Sequence, residues 1–190
     1  SSGLVVEAES LSEPEAELDT LIVPGGWGVN TACEDGALVD WVRRRAGEAK
    51  RTASVCSGAF LLATAGLLDG LKVVTHWQRC AEFAERFPDV RLDPDPIFIR
   101  DGDIWTSAGV TSGIDLSLAL VEAAIADAKL REVGLKALCN WPDASVAPRL
   151  LELISLEKNP QQRILLLRAL IRVAPLTDDR PPAEKLALMQ

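Results

Sequence analysis

The amino-acid sequence predicts an α/β fold with a doubly wound parallel sheet, followed by a segment made of helices only. Short apolar runs alternate with helical patterns up to about residue 126, which is typical of parallel strands joined by crossover helices. From residue 127 onward the strand pattern stops. The charge changes at the same place: residues 1–126 carry 10 Lys and Arg against 20 Asp and Glu, and residues 127–190 carry 10 against 8. We therefore predict two domains, 1–126 and 127–190.

The first predicted elements lie before residue 50. The apolar run Leu4–Val6 is compatible with a short strand. A second apolar run, Leu21–Val23, is stopped by Pro24–Gly26, and this pattern predicts a buried strand that ends in a tight loop. Residues 34–46 predict a helix with an apolar inner side and three Arg near its C-terminus, where cations oppose the negative end of the helix dipole.

Strands and helices alternate over the rest of the first domain. Gly and Pro separate the elements, and an Arg-Asp-Gly-Asp sequence between two apolar runs predicts a hairpin. In chain order we predict strand Thr52–Cys56, helix Ser57–Ala65, strand Leu71–Thr75, helix 77–87, hairpin strands Ile97–Ile99 and Ile104–Thr106, and helix Ile114–Ala126.

The second domain is predicted to contain four helices, at 129–141, 146–156, 161–174 and 182–189. Similar segments recur within it. Lys136-Ala137-Leu138 returns 32 residues later as Arg168-Ala169-Leu170. A period of this length with two helices per unit is typical of paired-helix repeats.

Composition excludes several classes of protein. The net charge of −8 disfavours direct binding to nucleic acid. The sequence has no apolar run of about 18 residues, so we predict no membrane span and a cytoplasmic location. The four cysteines are scattered and form no CxxC pair, which favours reduced thiols over zinc ligands. With His76 as the single histidine, we predict no metal site and no cofactor.

The strongest candidate for chemistry is Cys56, which lies between a predicted strand and a predicted helix among small residues. A nucleophile at such a turn projects above the sheet. A helix N-terminus also favours the thiolate. The backbone N–H of Ser57 would face a developing oxyanion, and the loop at Gly26 could supply a second N–H. The alternative is that Cys56 is a small residue buried in a crowded turn.

Three further residues are candidates for the same site. His76 follows a predicted strand, so it can lie at the same carboxyl edge as Cys56 and act as a base or orienting group. The alternative is that it caps the next helix. Thr111 lies in the predicted loop before the last helix of the first domain, and Asp115 lies near the start of that helix. We include both as pocket candidates, although Asp115 would also stabilise that helix N-terminus.

Four ordered motifs then show a resemblance to a known family. The segments Leu21–Gly26, Ser54–Gly70, Thr75–Trp77 and Trp105–Glu122 together resemble the ThiJ/PfpI superfamily of class I glutamine amidotransferase-like domains. The resemblance covers residues 1–125. It is strongest to the branch found in AraC-type transcriptional regulators and isonitrile hydratase-like enzymes.

This resemblance implies a flavodoxin-like sandwich with Cys56 at a nucleophile elbow and an oxyanion pocket from the Gly26 and Ser57 backbones. PfpI-type proteases carry His after the nucleophile, where this chain has Ser57, which argues against peptidase activity. The family's catalytic acid lies in a first helix that would precede Ser1. We therefore expect a domain that is incomplete at its N-terminus.

The second domain resembles HEAT-like helical repeats, a less extensive match than the first. The AraC-type regulators carry a DNA-binding helix-turn-helix domain at this point, which we do not find in the sequence. The segments that carry the HEAT-like resemblance are Lys136–Val146, Arg163–Ala174 and Arg180–Leu188.

The functional prediction is a domain that senses a small molecule, as in AraC-type regulators. One alternative is a cysteine-dependent hydrolase or hydro-lyase, and another is a HEAT-repeat module that binds a protein through the helical tail. Whether the chain is an enzyme stays open at this stage. The expected partners are a small-molecule ligand and a protein at the tail, and a homodimer is left open.

Overall fold

The computed structural model describes residues 11, 17–109 and 111–176. The predicted strand Leu4–Val6 and the predicted helix at 182–189 lie outside these residues. The chain divides into two compact units, Ser1–Leu116 and Ser117–Gln190. Each unit is described by itself.

A four-stranded sheet with the order β1-β2-β6-β5 forms the centre of the first unit. β1 pairs parallel to β2, β2 pairs parallel to β6, and β5 pairs antiparallel to β6. The predicted α/β class with a mainly parallel sheet is therefore confirmed. The strands are β1 (Thr20–Val23), β2 (Arg51–Val55), β5 (Phe98–Asp101) and β6 (Ile104–Ser107).

The predicted hairpin is confirmed as β5 and β6. Asp101 pairs with Ile104 at its closed end, and Gly102 between them has a φ of +61°. Glycine adopts this left-handed conformation without the steric cost that a side chain brings. The turn therefore explains why the hairpin was visible in the sequence.

The predicted strand Leu71–Thr75 differs from the structure. Only Lys72–Val73 forms a strand, β3, and it pairs with β4 (Arg91–Leu92) in a separate two-stranded sheet. Instead of backbone-to-backbone hydrogen bonds, side chains of the larger sheet bind the backbone of this segment. The Val74 N–H donates to Thr106 Oγ1 at 2.9 Å, and the Lys72 N–H donates to Asp101 Oδ2 at 2.8 Å. The segment therefore follows the sheet without joining it.

Helices in the first unit flank β2 and follow β3. The sequence did not predict α1, because its segment shows no regular apolar spacing. Asp35 caps α2, since its side chain accepts the N–H groups of Ala37 and Leu38. The bounds are α1 (Val29–Glu34), α2 (Gly36–Glu48), α3 (Gly58–Thr64), a 3-10 turn (Trp77–Arg79) and α4 (Cys80–Arg86).

The core of the first unit centres on α3, which is apolar on all sides. Phe60 and Phe83 are fully buried, and their rings meet edge to face with centroids 5.0 Å apart. Other side chains in this core come from β1, α1, α2 and the end of β3. This packing keeps the turn before α3 firmly in place.

The second unit is helical throughout its described residues. Its core is formed by Leu135, Leu138, Leu150, Leu166 and apolar neighbours. The helices are α5 (Ser112–Ala126), α6 (Arg131–Cys139), a 3-10 turn (Ala144–Val146), α7 (Ala147–Leu156) and α8 (Pro160–Val173).

The boundary between the units lies inside α5, ten residues before the predicted one. The C-terminal half of α5 packs into the helical core, where Ile125 is buried and Leu118 and Val121 are partly buried. A Cβ at Gly134 would lie 2.8 Å from the Ile125 nitrogen, so α6 approaches α5 closely there. The charge pattern therefore changes at the end of α5, whereas the packing changes in its middle. Within the described residues, no helix is both long enough and apolar enough to span a membrane.

Candidate functional site

The chain turns sharply after β2, and Cys56 occupies the turn. Its φ of +59° makes it the single non-glycine residue with positive φ in the described part of the chain. A side chain in this region costs about 1–2 kcal/mol. Two hydrogen bonds hold the turn: the Cys56 N–H donates to the Ser107 carbonyl at 2.9 Å, and its carbonyl accepts from Thr75 Oγ1 at 3.1 Å.

Two glycines allow the loop after β1 to lie against this turn. A Cβ at Gly25 would lie 2.9 Å from the Cβ of Cys56. A Cβ at Gly58 would overlap the carbonyl oxygen of Val23. Because no real Cβ fits at these separations, packing requires glycine at both positions.

Ser57 occupies the position where an oxyanion donor was predicted. The Gly26 N–H donates to Ser57 Oγ at 3.1 Å. One of the two N–H groups that we assigned to an oxyanion is therefore already satisfied by the neighbouring hydroxyl. A ligand oxygen would have to displace that hydroxyl to reach it.

His76 lies beside Cys56 and also caps the 3-10 turn that follows it. Its Nδ1 accepts the Gln78 N–H at 3.3 Å, and its ring stacks on Trp77 with centroids 5.7 Å apart. A neutral imidazole whose Nδ1 accepts must carry its proton on Nε2. In this tautomer Nε2 is a donor, so His76 can hold a ligand oxygen.

A cavity of about 470 Å³ opens beside Cys56. This volume is in the range of small-molecule sites. Trp27 is fully exposed at its rim. The lining residues are Gly26, Trp27, Asn30, Cys56, Ser57, His76, Gln78, Arg79 and Glu82.

Arg79 is the best-fixed charged side chain of the cavity. Its Nε and Nη2 donate to the two carboxylate oxygens of Glu82 at 2.9 and 2.7 Å, and Nη2 also donates to Asn30 Oδ1 at 2.8 Å. Its guanidinium carbon lies 3.9 Å from the centroid of the Phe60 ring. The hydrogen bond to Glu82 raises the pKa of Arg79, and negative charge on Cys33 or Cys56 acts in the same direction.

The structure brings four of the six predicted site residues to this cavity, namely Gly26, Cys56, Ser57 and His76. Thr111 and Asp115 do not line it. Both are exposed, and Asp115 lies in the first turn of α5. Asp115 therefore occupies a position in which a carboxylate stabilises a helix N-terminus, which was the alternative interpretation of this residue.

Sequence reasoning missed Asn30, Gln78, Arg79 and Glu82, which contribute most of the polar wall. The spacing of Arg79 and Glu82 was a usable signal, because residues three apart on a helix can form an ion pair. The contacts to Asn30 and Phe60 join distant parts of the chain and left no local pattern.

The other thiols lie outside the cavity lining. Burial raises the pKa of the Cys80 thiol and of the Cys139 thiol, so neither ionises readily. In the described residues all four cysteines are free. The same part of the chain contains no cluster of three or more His, Cys, Asp or Glu side chains suited to a metal ion.

Comparison with known proteins identifies the class. The sequence matches the DJ-1/PfpI family over residues 1–123, so the chain belongs to this family. Its fold is the flavodoxin-like α/β fold of that family, as predicted. A ThiJ/PfpI family protein from Pseudomonas syringae superimposes with a TM-score of 0.53 at 28% identity, covering 79% of this chain and 65% of that one.

Two curated relatives have different roles. Isonitrile hydratase from Pseudomonas putida is 36% identical over 124 residues, which cover 64% of this chain and 52% of that protein. The HTH-type transcriptional regulator CdhR from Pseudomonas aeruginosa is 35% identical over 124 residues, covering 65% and 36%. The chain thus spans about half, or less, of the length of these relatives. Domains of its family occur both in regulators and in an enzyme.

Proposed function

We propose that the first unit is a sensing domain that binds a small molecule beside Cys56 without converting it. One observation carries this proposal: two of the groups that catalysis at Cys56 would use are engaged in internal hydrogen bonds. The Gly26 N–H is occupied by Ser57, and His76 Nδ1 by the Gln78 N–H. The cavity instead offers hydrogen-bonding side chains and an exposed indole, which suit binding.

Thermal unfolding with a panel of small metabolites tests this proposal. We expect at least one compound to raise the unfolding midpoint of the parent chain and of the Cys56→Ala variant by similar amounts. The reason is that the thiol is one of several groups that line the cavity. Recovery of the compound unchanged after incubation completes the expected result. Loss of all stabilisation in a folded Cys56→Ala variant, or conversion of the compound, contradicts it.

Cysteine-dependent hydration or hydrolysis is the second candidate. The left-handed conformation of Cys56 at a cavity wall favours it, because strained residues are concentrated at functional sites. Proton NMR of cyclohexyl isonitrile incubated with the chain tests the hydratase form of this hypothesis. Consumption of the isonitrile by the parent chain, but not by the Cys56→Ala variant, supports catalysis. A rate for the parent chain equal to that of the buffer blank contradicts catalysis with this substrate.

Protein binding by the helical unit is the third candidate. Ile164, Leu167 and Ile171 are exposed on α8 and lie on one side of it, opposite the buried Leu166 and Val173. Exposed apolar patches mark interaction sites. In its simplest form the partner is a second copy of the chain, and sedimentation velocity tests this. A sedimentation coefficient that rises with concentration in the parent chain, but not in the Ile164→Lys, Ile171→Lys double variant, supports this candidate. If the parent and the double variant both sediment as monomers, it is contradicted.

A further inference from the structure

The Arg79 guanidinium has one edge left for a ligand. Of its five N–H donors, Nε and both donors of Nη2 are used by Glu82 and Asn30. The two N–H groups of Nη1 donate to no described residue. Because the Phe60 ring covers one face and three bonds hold the rest, Nη1 is presented without further ordering of the side chain.

Arg86, a second cation that lies outside the cavity lining, shares the carboxylate beside Arg79. Glu82 is shared, since Arg86 Nη1 also approaches its Oε1 at 3.4 Å. Two guanidinium groups and one carboxylate leave one positive charge in excess. The Arg79 hydrogen bond lowers the pKa of Glu82, so this balance persists through neutral pH. An acidic chain therefore presents a local site that attracts an anion.

The geometry also limits which anion fits. The Nε and Nη2 edge, which usually grips a carboxylate or phosphate at two points, is already used for Glu82. The ligand is left with contact to Nη1 alone, and the Glu82 carboxylate held by the same guanidinium repels it. A singly charged carboxylate, with one oxygen on Nη1, suits this position better than a dianionic phosphate. The indole of Trp27 offers an apolar surface for the remainder of the molecule.

We propose that the ligand of this cavity is a small organic carboxylate and that Arg79 is the residue that anchors its charge. This inference rests on the proposed sensing function, because it names the chemical class of the molecule that the cavity binds. It assigns specificity to a side chain outside the Cys56 turn. Cys56 then acts as a wall of the same cavity.

Alkylation of Cys56 by two matched reagents tests the anchor directly. Iodoacetate carries a carboxylate, and iodoacetamide is its uncharged counterpart. With both reagents the Cys56 sulfur forms a bond to carbon, iodide leaves and the thiol proton passes to solvent. The ratio of the two rates at Cys56, read by peptide mass spectrometry, therefore cancels the intrinsic reactivity of the thiol and reports recognition of the carboxylate.

We expect the iodoacetate-to-iodoacetamide ratio at Cys56 to exceed that of glutathione in the same solution. Arg79→Gln should lower the ratio about tenfold, which corresponds to about 1.4 kcal/mol. Arg43→Gln is the matched control, because Arg43 also pairs with a carboxylate three residues away and bonds a backbone carbonyl, but does not line the cavity. This control should leave the ratio unchanged.

A parent ratio equal to that of glutathione, or a ratio unaffected by Arg79→Gln, overturns the inference. If Arg79→Gln fails to fold, Arg79→Lys keeps the charge but loses the fork that Glu82 holds, and should give an intermediate ratio. A parent-like ratio in Arg79→Lys would overturn the anchoring geometry.

A second measurement separates this inference from the proposed function. Propionate should protect Cys56 of the parent chain from iodoacetamide at lower concentration than propionamide does. Equal protection by both compounds contradicts the carboxylate anchor while leaving the sensing function standing. Conversion of a bound compound would instead contradict the sensing function while leaving the anchor standing.

Discussion

Cys56 has a backbone conformation that is unfavourable for a residue with a side chain. The left-handed φ is imposed by hydrogen bonds to Ser107 and Thr75, and a β-carbon tolerates it poorly. Glycine has no β-carbon and adopts this region freely. The usual order of Ala and Gly in stability should therefore be reversed at this position.

We predict that Cys56→Gly is at least as stable as Cys56→Ala, with a difference of up to about 1 kcal/mol in the free energy of unfolding. Urea denaturation of both variants measures it. Ala37, exposed in α2, supplies the reference, since Ala37→Gly should destabilise in the ordinary way. A Cys56→Gly variant less stable than Cys56→Ala would show that the turn stores no strain.

The residues of the site differ in how far the sequence reveals them. Cys56 and its small neighbours were predictable, because a sharp turn restricts residue types locally. His76 was predicted beside Cys56 on the assumption that its strand joins the main sheet. It reaches the cavity although β3 lies outside that sheet, because Thr75 and Val74 bond to the turn and to β6. Arg79 was not predictable, since its partners are distant in the chain.

Among the elements, α3 makes a very close backbone contact at its first residue. Gly58 opens the helix where it touches the end of β1, and any Cβ there overlaps the Val23 carbonyl. We predict that Gly58→Ala lowers the free energy of unfolding by about 2–3 kcal/mol, because the helix must move away from the strand. Urea denaturation of the variant tests it.

Gly47 in α2 is the matched control for Gly58, because a Cβ there meets nothing within 4 Å. Gly47→Ala should raise the free energy of unfolding by about 0.5–1 kcal/mol through improved helix propensity. Similar effects of the two substitutions would contradict the close approach of α3 to β1.

An ion pair links the start of α6 to the end of α7. Glu157 accepts the Asn159 N–H at 2.8 Å and pairs with Arg131 at 3.0 Å, and its side chain is 8% exposed. The hydrogen bond from Asn159, followed by that from Arg131, lowers the pKa of Glu157 from its ordinary 4.5. A carboxyl with a lowered pKa stabilises the fold above the unfolded-state value and loses that contribution as the pH falls.

We predict that Glu157→Gln lowers the free energy of unfolding by about 1 kcal/mol at pH 7, and that the difference from the parent shrinks as the pH falls below about 4.5. Urea titrations at several pH values between 7 and 3 measure the difference. Glu152→Gln, whose exposed carboxylate pairs with Arg149, is the control and should show a smaller effect. If the difference in free energy of unfolding between Glu157→Gln and the parent did not change with pH, the stabilising role of the ionised Glu157 would be contradicted.

For the whole molecule, the sequence was informative about the order of elements and less so about where packing divides. Apolar runs and turn residues located β1, β2 and the hairpin, because most side chains of these strands are buried or partly buried. The segment of α1 carries no apolar period, so its helix depends on tertiary contacts. Likewise the boundary inside α5 follows from the burial of Ile125, which no change in composition marks.

That boundary predicts how the helical unit behaves alone. A fragment of residues 117–190 keeps the half of α5 that completes the helical core, whereas a fragment of residues 127–190 removes Ile125 and its neighbours. We expect the longer fragment to unfold cooperatively in urea and the shorter one to be less stable by several kcal/mol. Circular dichroism of both fragments measures this. Equal stability of the two fragments would favour the predicted boundary after residue 126 over the boundary inside α5.

The exposed indole at the cavity rim has a practical consequence. Trp27 faces water, as does most of Trp77 beside His76, whereas Trp105 is buried in the sheet. The fluorescence of a water-exposed indole shifts toward shorter wavelength when an apolar group covers it. A molecule that enters the cavity should therefore change the emission of Trp27 while Trp105 stays constant. The chain thus contains its own optical probe, which needs no label, and Trp27→Phe supplies the blank.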